Sequence, residues 1–429
     1  MPNLLSSRRG RRILFTALYF SEGAPIGFIW WALPTKLRSA GIDVGTITTF
    51  TSLLVLPWVF KFLWSPLIDG IRTSRWTLRS WIVAMQLVMG CSLLPLLFCD
   101  LAADLAILVP FLLLSTTAAA TQDASIDALA ISTVPPSERG SVNGWMQLGM
   151  LVGRSALGGG ALLLDQRIGL AAVVLLLVGV IWSSSILVFL SAEPVPTEEE
   201  RGDVRRHLRA LLPRLQKACR SRTTWIGLLF AAIAGAGFEG VGAVAGPFLI
   251  DRGFSQEEVG SFFAFHSVAA MAGGALLGGY LADRIDTRRA VSGFLLLMSV
   301  SVLGLSALDT VLPHLAGFWL LPMMTFLYAG IGMFTASSYA LFMEITDPAL
   351  GATQFSAFMG ATNGCESWSA LVVGKTVPVA GYPVAFASLA FVSLATLPLL
   401  RHLVPAGHPT GGRQRVRAIR RPPGEELKD

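Results

Sequence analysis

Residues 105–132 read LAILVPFLLLSTTAAATQDASIDALAIS. The run exceeds the ~20 residues a helix needs to cross bilayer hydrocarbon, and its ionisable groups are Asp123 and Asp127, near its end. Spaced i and i+4, the two carboxylates share one helix face. A charge at the bilayer centre costs at least about 2.5–3.5 kcal/mol, so that face must look onto protein or a wet cavity. One such helix demands others around it. The stretch decides the fold class: an all-α bundle of membrane helices with a polar interior.

The rest of the chain agrees. Of its 429 residues, 53% are hydrophobic and 14% charged, against about 25% charged in soluble domains. Mean hydropathy is +0.63. A soluble enzyme, a disordered chain and a small disulfide scaffold are excluded. Cys91, Cys99, Cys219 and Cys365 lack metal-type spacing and read as small packing residues. The five histidines do not cluster, so no metal and no cofactor are expected.

Twelve candidate spans follow from the apolar runs: 13–34, 46–68, 80–99, 105–132, 141–164 and 168–191, then 225–250, 256–282, 290–308, 314–345, 352–374 and 380–403. Arg8, Arg9, Arg11 and Arg12 before the first run mimic a signal peptide. The run's length, Glu22, Pro25 and the lack of a small-residue cleavage site make it an uncleaved span. The long polar segment 192–224 carries Thr197 and Glu200 in capping-box spacing. Val204, Leu208, Leu211, Leu212 and Leu215 then recur at helical spacing opposite Arg205, Arg206, Arg209 and Lys217. This is either a basic amphipathic helix on an anionic membrane surface or a solvated linker helix. The tail 404–429 is basic, rich in Pro and Gly, and expected to be disordered. The domains are therefore 1–191, a six-helix bundle; 192–224, the linker; 225–403, a second six-helix bundle; and the tail.

Of the 33 Lys and Arg residues, Lys36, Arg38, Arg167, Arg252 and Lys375 fall in odd-numbered loops and Lys61 and Arg154 inside spans. All others sit in the termini and even-numbered loops. By the positive-inside rule the termini and central loop are cytoplasmic. The net charge of +6 thus records topology, and nucleic acid is not an expected partner.

The chain also repeats itself. Gly140-Ser141-Val142-Asn143 opens span 5 as Gly351-Ala352-Thr353-Gln354 opens span 11, and Gly149 and Gly153 match Gly360 and Gly364 at an offset of 211. Glu22-Gly23 echoes Glu239-Gly240, and Asp69 echoes Asp283. Two parallel six-span halves are the plan of the major facilitator superfamily. Embedded ionisable residues are Glu22, Lys61, Asp123, Asp127, Arg154, Glu239, His266, Glu344 and Glu366, with none in spans 3, 6, 9 and 12. Every third helix is then the lipid-facing one, and the rest surround a central cavity. At 1.5 Å per residue, Glu22 lies roughly 14 Å deep, Lys61 and Asp127 roughly 12 Å, and Arg154, Glu239 and Glu366 roughly 21–22 Å.

Two carboxylates as close as Asp123 and Asp127 titrate as a coupled pair, and a protonatable carboxylate beside Lys61 or Arg154 is what proton coupling needs. The plain alternative is a permanently paired network that only fixes helix packing. Glu344, near a span end, also reads as an ordinary snorkelling residue. Trp30, Trp31 and Trp145 are candidates for stacking on a sugar or aromatic ring, or for belt and packing roles. Gly235-Ala236-Gly237-Phe238-Glu239-Gly240 matches G-x-G-x-x-G but lies in an apolar span with no strand before it, so it reads as packing, not a dinucleotide site. Gly149/Gly153, Gly274/Gly278 and Gly360/Gly364 suit close helix contacts.

Several stretches resemble a known family. Gly279-Tyr280-Leu281-Ala282-Asp283-Arg284, with Arg288 and Arg289, is similar to the cytoplasmic loop signature of the major facilitator superfamily. Asp69 in Ser65-Pro66-Leu67-Ile68-Asp69-Gly70 keeps that motif's carboxylate without its leading Gly or adjacent Arg. Leu18-Tyr19-Phe20-Ser21-Glu22-Gly23-Ala24-Pro25, Lys61-Phe62-Leu63-Trp64-Ser65-Pro66-Leu67-Ile68-Asp69, Thr121-Gln122-Asp123-Ala124-Ser125-Ile126-Asp127-Ala128 and Ala352-Thr353-Gln354 resemble AmpG-type muropeptide permeases of the peptide/acetyl-CoA transporter branch. The resemblance implies a bacterial inner-membrane, proton-driven importer of a small solute, a muropeptide foremost, with siderophores and acyl-CoA as alternatives. The expected site is Glu22, Lys61, Gln122, Asp123, Asp127 and Arg154, with Glu239 and Glu366 serving the second half. Asp69, Gly279, Asp283 and Arg284 are expected to gate. Protons and membrane lipids are the further partners, and the chain is expected to act as a monomer. A non-transporting receptor on a transporter fold is the rival reading; a membrane enzyme, lacking any catalytic constellation, comes third.

Overall fold

The computed structural model describes residues 3–65, 68, 71, 76–135, 138–192, 213, 216, 220–311, 313–346 and 351–403. Among them, ten helical stretches are long and apolar enough to cross a membrane. They are α1 (Arg8–Ser39), α2 (Val44–Leu63), α3 (Leu78–Leu97), α4 (Leu105–Thr133), α5 (Ser141–Phe189), α6 (Arg222–Asp251), α7 (Gln256–Ala282), α8 (Thr287–Val311), α9 (Gly317–Ile345) and α10 (Gln354–His402). Apart from Pro213 and Gln216, the expected amphipathic helix of the central segment lies outside the described residues, as does the tail 404–429.

The count differs from twelve because α5 and α10 each run for 49 residues. At 1.5 Å per residue that is about 74 Å, more than twice the ~30 Å of bilayer hydrocarbon. Each contains one residue with non-helical backbone, Gly169 (φ 78°, ψ 158°) and Gly381 (φ 80°, ψ 167°). Glycine adopts that conformation without the Cβ clash other residues meet. The sequence places these breaks at 165–167 and 375–379; the glycines put them a few residues later. Lys375, expected in a connection, is therefore helical.

Short polar devices set the helix starts. The Ser7 hydroxyl accepts from the Gly10 N–H at 3.0 Å at the head of α1. Asp43 caps α2 by accepting from the Thr46 N–H at 2.8 Å. The Thr46 hydroxyl and N–H hold the Asp43 carboxyl below the usual carboxylate range. The α-helical part of α2 ends at Phe60, and Lys61–Leu63 form a 3-10 turn, the tighter winding common at helix ends. Lys61 thus lies in the closing turn of the span, within 46–68 as expected.

Missing side chains let helices approach. A Cβ on Gly149 or Gly153 would fall 2.3 Å from the Thr16 or Phe20 carbonyl oxygen, seating α5 on α1. A Cβ on Gly274 would fall 2.0 Å from the Ala329 carbonyl oxygen and one on Gly278 2.5 Å from Met333 Cα, seating α7 on α9. Of the third expected pair, Gly360 meets the Val59 carbonyl, while nothing lies within 4 Å of a Cβ on Gly364. That face of α10 opens toward space, and spacing along one helix carries no record of where the neighbour stands. Gly235 lies between the α-helical segments ending at Ile233 and beginning at Ala236, and the Gly237 N–H donates to the Ser393 hydroxyl at 2.8 Å.

Three π-turns, Phe28–Ala32 in α1, Ser155–Gly159 in α5 and Phe262–His266 in α7, meet one another. Trp31 stacks on Phe263 with centroids 5.1 Å apart and planes 11° from parallel. The Ser155 hydroxyl donates to the Ala264 carbonyl.

Gly153→Leu forces a side chain against the Phe20 carbonyl, so a loss of about 1–3 kcal/mol is expected. Gly144→Ala, with nothing within 4 Å of its Cβ, is expected to be silent. The fraction of each purified variant still monodisperse after graded heating checks both.

Candidate functional site

Buried polar chemistry gathers in two places. The first joins α1, α2 and α4. The Lys61 ammonium donates to Asp123 at 2.5 Å. The Tyr19 hydroxyl donates to Asp127 at 2.7 Å and also reaches Asp123 at 3.3 Å. The Trp64 indole N–H donates to the Thr121 hydroxyl at 3.1 Å. Glu22, one turn beyond Tyr19, is fully buried, and its Oε2 has no hydrogen-bond partner among the described residues. It lies within electrostatic reach of Asp123, Lys61, Asp127 and Arg154. Gln122 is fully buried, and neither amide atom is bonded among the described residues. The expected i, i+4 carboxylate pair is present, and three carboxylates face one ammonium.

The second place is a cavity of about 280 Å³. Its charged walls are Arg154 of α5, Glu239 of α6 and Glu366 of α10. Its aromatic walls include Trp30, Trp58, Phe238, Tyr328 and Tyr339. The Trp30 indole N–H donates to Glu366 at 2.5 Å, and its ring meets Trp58 edge-on with centroids 5.6 Å apart. Glu239 interacts electrostatically with Glu366 and Arg154. Chemically, the cavity offers a guanidinium, two carboxylates and flat apolar surfaces within one space walled by helices from early and late in the chain.

The two ends of the molecule are held differently. At the end away from the termini, the Arg38 guanidinium meets the Asp251 carboxylate with two bonds of 2.6 and 3.0 Å. The Tyr382 hydroxyl donates to the same carboxylate at 2.8 Å. Arg252 pairs with Asp309 and lies over the Phe248 and Tyr382 rings. The Arg38–Asp251 pair and the π-turn seam tie residues 3–192 to residues 220–403, and Tyr382 and Arg252 brace the pair from within the second region. The bonds described at the terminus end stay within one region: Arg11 to Glu138, Arg12 to Ser141, Gln354 to Thr224, Thr287 to Glu344.

Residues 13–373 match the Major Facilitator Superfamily. The chain belongs to that superfamily. The anhydromuropeptide permease of Escherichia coli K12 is 28% identical over 349 residues, which cover 81% of this chain and 70% of the relative. A putative transporter AmpG 4 of Rickettsia conorii is 23% identical over 400 residues, covering 89% and 94%. Among solved structures, a D-xylose–proton symporter superposes with a TM-score of 0.71 at 12% identity, covering 92% of this chain and 97% of that one. The nucleoside transporter NupG gives 0.68 at 14%, covering 92% and 99%. The fold is that of an all-helical superfamily transporter. The chain is a multi-pass membrane permease for small molecules, not an enzyme.

Within that fold the expected residues regroup. Arg154, assigned with the first-half charges, lines the cavity with Glu239 and Glu366, because the walls come from both regions. Glu22, Lys61, Gln122, Asp123 and Asp127 do not line that cavity. Asp69 and the side chain of Asp283 lie outside the described residues. Gly279 has nothing within 4 Å of a Cβ, and the Arg284 guanidinium sits 4.6 Å over the Tyr280 ring. His266 is exposed and stacks on Phe262; Glu344 is exposed and accepts from Thr287. Of the three tryptophans, Trp30 and Trp31 both line the cavity, Trp31 also stacking on Phe263, and Trp145 is exposed. Tyr19 was missed, although it stands three residues before Glu22 on one helix face. The Arg38–Asp251 pair was missed too. Its signal was a basic residue in a loop on the wrong side of the charge bias.

Breaking the Arg38–Asp251 contact is expected to loosen the end away from the termini. Spin labels at exposed Ala40 and Glu257 should show a larger long-distance population in Asp251→Asn than in the parent, read by double electron–electron resonance.

Proposed function

We propose that the chain is a proton-coupled importer of a muropeptide-like sugar-peptide, working by alternating access. The observation that carries this is the cavity itself. Arg154, Glu239 and Glu366 share one space walled by helices from both regions, and the buried Glu22–Lys61–Asp123–Asp127 cluster lies outside it. The similarity to the Escherichia coli anhydromuropeptide permease supports the substrate class. Sugar faces pack well on aromatic rings such as Trp30 and Trp58, and the charged walls suit a peptide's ionic groups.

In this reading α5 and α10 each cross the bilayer twice, turning at Gly169 and Gly381. That makes twelve crossings in two parallel six-helix bundles, 1–191 and 225–403, joined by the segment 192–224. Both termini lie in the cytoplasm of a bacterium, the protein sits in its inner membrane among lipids, and it works as a monomer. The end held by Arg38 and Asp251 is then the outer gate, closed here. Asp69, Gly279, Asp283 and Arg284 form the inner gate.

Carboxylates that exceed the available cations gain and lose protons as their surroundings change. The Lys61–Asp123 bond and the Tyr19 bridge to Asp127 give a proton two defined places to act. A proton arriving at Asp127 changes what Tyr19 holds, and Tyr19 lies on α1, the helix that also carries Trp30 into the cavity.

Uptake of a labelled disaccharide-peptide into right-side-out vesicles tests the reading. An imposed gradient, acid outside, is expected to drive accumulation, and Asp127→Asn to abolish accumulation against a gradient. Uptake indifferent to the gradient and to that substitution would remove proton coupling through this site.

A further inference from the structure

Arg154 differs from Lys61, the other embedded cation, in having no bonded carboxylate among the described residues. Lys61 has Asp123, and Glu366 has the Trp30 indole. The Arg154 guanidinium has no hydrogen bond or ion pair among the described residues, and its Nε is buried. Arg154 is half-buried, and two carboxylates line the same cavity without bonding to it.

The reason is visible for Glu366. Trp30 holds that carboxylate, and Trp58 meets the Trp30 ring edge-on. The arginine is equally fixed at its root. A Cβ on Gly27 would fall 2.3 Å from the Arg154 carbonyl oxygen, so α1 and α5 touch backbone to backbone there. The π-turn Ser155–Gly159 begins at the next residue. The guanidinium is held at the wall with its forked donors unused, and that fork matches a carboxylate with two parallel bonds.

We propose that Arg154 anchors a carboxylate of the transported solute. The cavity then selects carboxylate-bearing solutes whose ring or apolar part lies against Trp30, Trp58 and Phe238. Trp30 is a positioning residue: by holding Glu366 it removes the internal competitor for the guanidinium. The inference rests on the transport reading of this cavity and narrows its substrate class.

Matched probes test it on the purified full-length chain. N-acetylmuramic acid carries a carboxylate, its methyl ester does not, and N-acetylglucosamine 6-phosphate offers a phosphate instead. The acid is expected to bind about ten- to hundredfold tighter than the ester, the range of charge-assisted bonds. Arg154→Gln should erase that difference, and Arg154→Lys should keep part of it. Trp30→Phe removes the indole N–H, frees Glu366 and trims the stacking surface for both probes, so it should weaken the acid by a several-fold larger factor than the ester. Equal binding of acid and ester to the parent protein, which needs no variant to fold, would overturn the proposal. So would an acid preference that survives Arg154→Gln, or a stronger hold on the phosphate. Decanoate separates this from the muropeptide reading. If it binds with the same Arg154 dependence while the sugars do not, the anchor stands and the muropeptide assignment falls.

Discussion

Lys61 and Asp123 meet 2.5 Å apart inside a chain built to lie in hydrocarbon. Each charge alone would cost several kcal/mol at that depth, so each obliges the other to be present. The same constraint reaches outward from the pair. Asp127 lies one turn away and takes the Tyr19 hydroxyl, which brings α1 against α4. Glu22 follows on the face of Tyr19, and the glycines of α1 and α5 close the remaining distance. The packing of these helices is thus the shape that lets four ionisable groups stay out of lipid. An apolar bundle of equal length would have no such preference for one arrangement.

The cost of exposure also explains how much of this was legible. A carboxylate in an apolar run is unmistakable, and i, i+4 spacing needs only the helical period. Depth along a helix is also readable, since 1.5 Å per residue put Arg154 level with Glu239 and Glu366. Arg154 lies within electrostatic reach of Glu22 and also lines the cavity with Glu239 and Glu366, and chain order shows only the first of these, because neighbours across a bundle are set by packing between distant segments. Gly149 and Gly153 reveal that α5 approaches something closely, yet nothing in their spacing says that it is α1. The breaks at Gly169 and Gly381 were misplaced for a related reason. Polar residues mark only the neighbourhood, Asp165–Arg167 and Lys375–Thr376, and only the backbone angle shows where the chain departs from the helix. Partners such as Arg38 and Asp251 are separated by 213 positions, with no periodicity to connect them.

The contrast between the two ends bears on how such a molecule moves. The end away from the termini combines a two-bonded ion pair and stacked rings across the two regions, with Tyr382 bracing the pair from within the second. At the terminus end the described bonds stay within a region. A rocking motion that opens one end must break the first set and leave the second intact, so the barrier is concentrated at one end. Ser367 complicates a free hinge, since its hydroxyl donates to the Ser52 carbonyl at 3.0 Å. It is adjacent to Glu366, so α10 is tied to α1 and α2 by consecutive residues. α10 therefore moves with the cavity charge it carries.

Residues 149–159 of α5 bring these features together in a single stretch. Gly149 and Gly153 fasten it to α1, Arg154 faces the cavity, and Ser155 and Gly159 touch α7 from the other region. The π-turn that follows the cation itself makes the inter-region contact, and such turns add a residue to the helical register where function needs it. Any separation of the two regions pulls on Ser155 and Gly159, next to Arg154, while the glycines before it hold to α1. The guanidinium must then shift relative to Glu239 and Glu366, which ride on α6 and α10. A solute bound between the cation and those carboxylates would feel the change directly, and its charge would in turn bias which arrangement is stable.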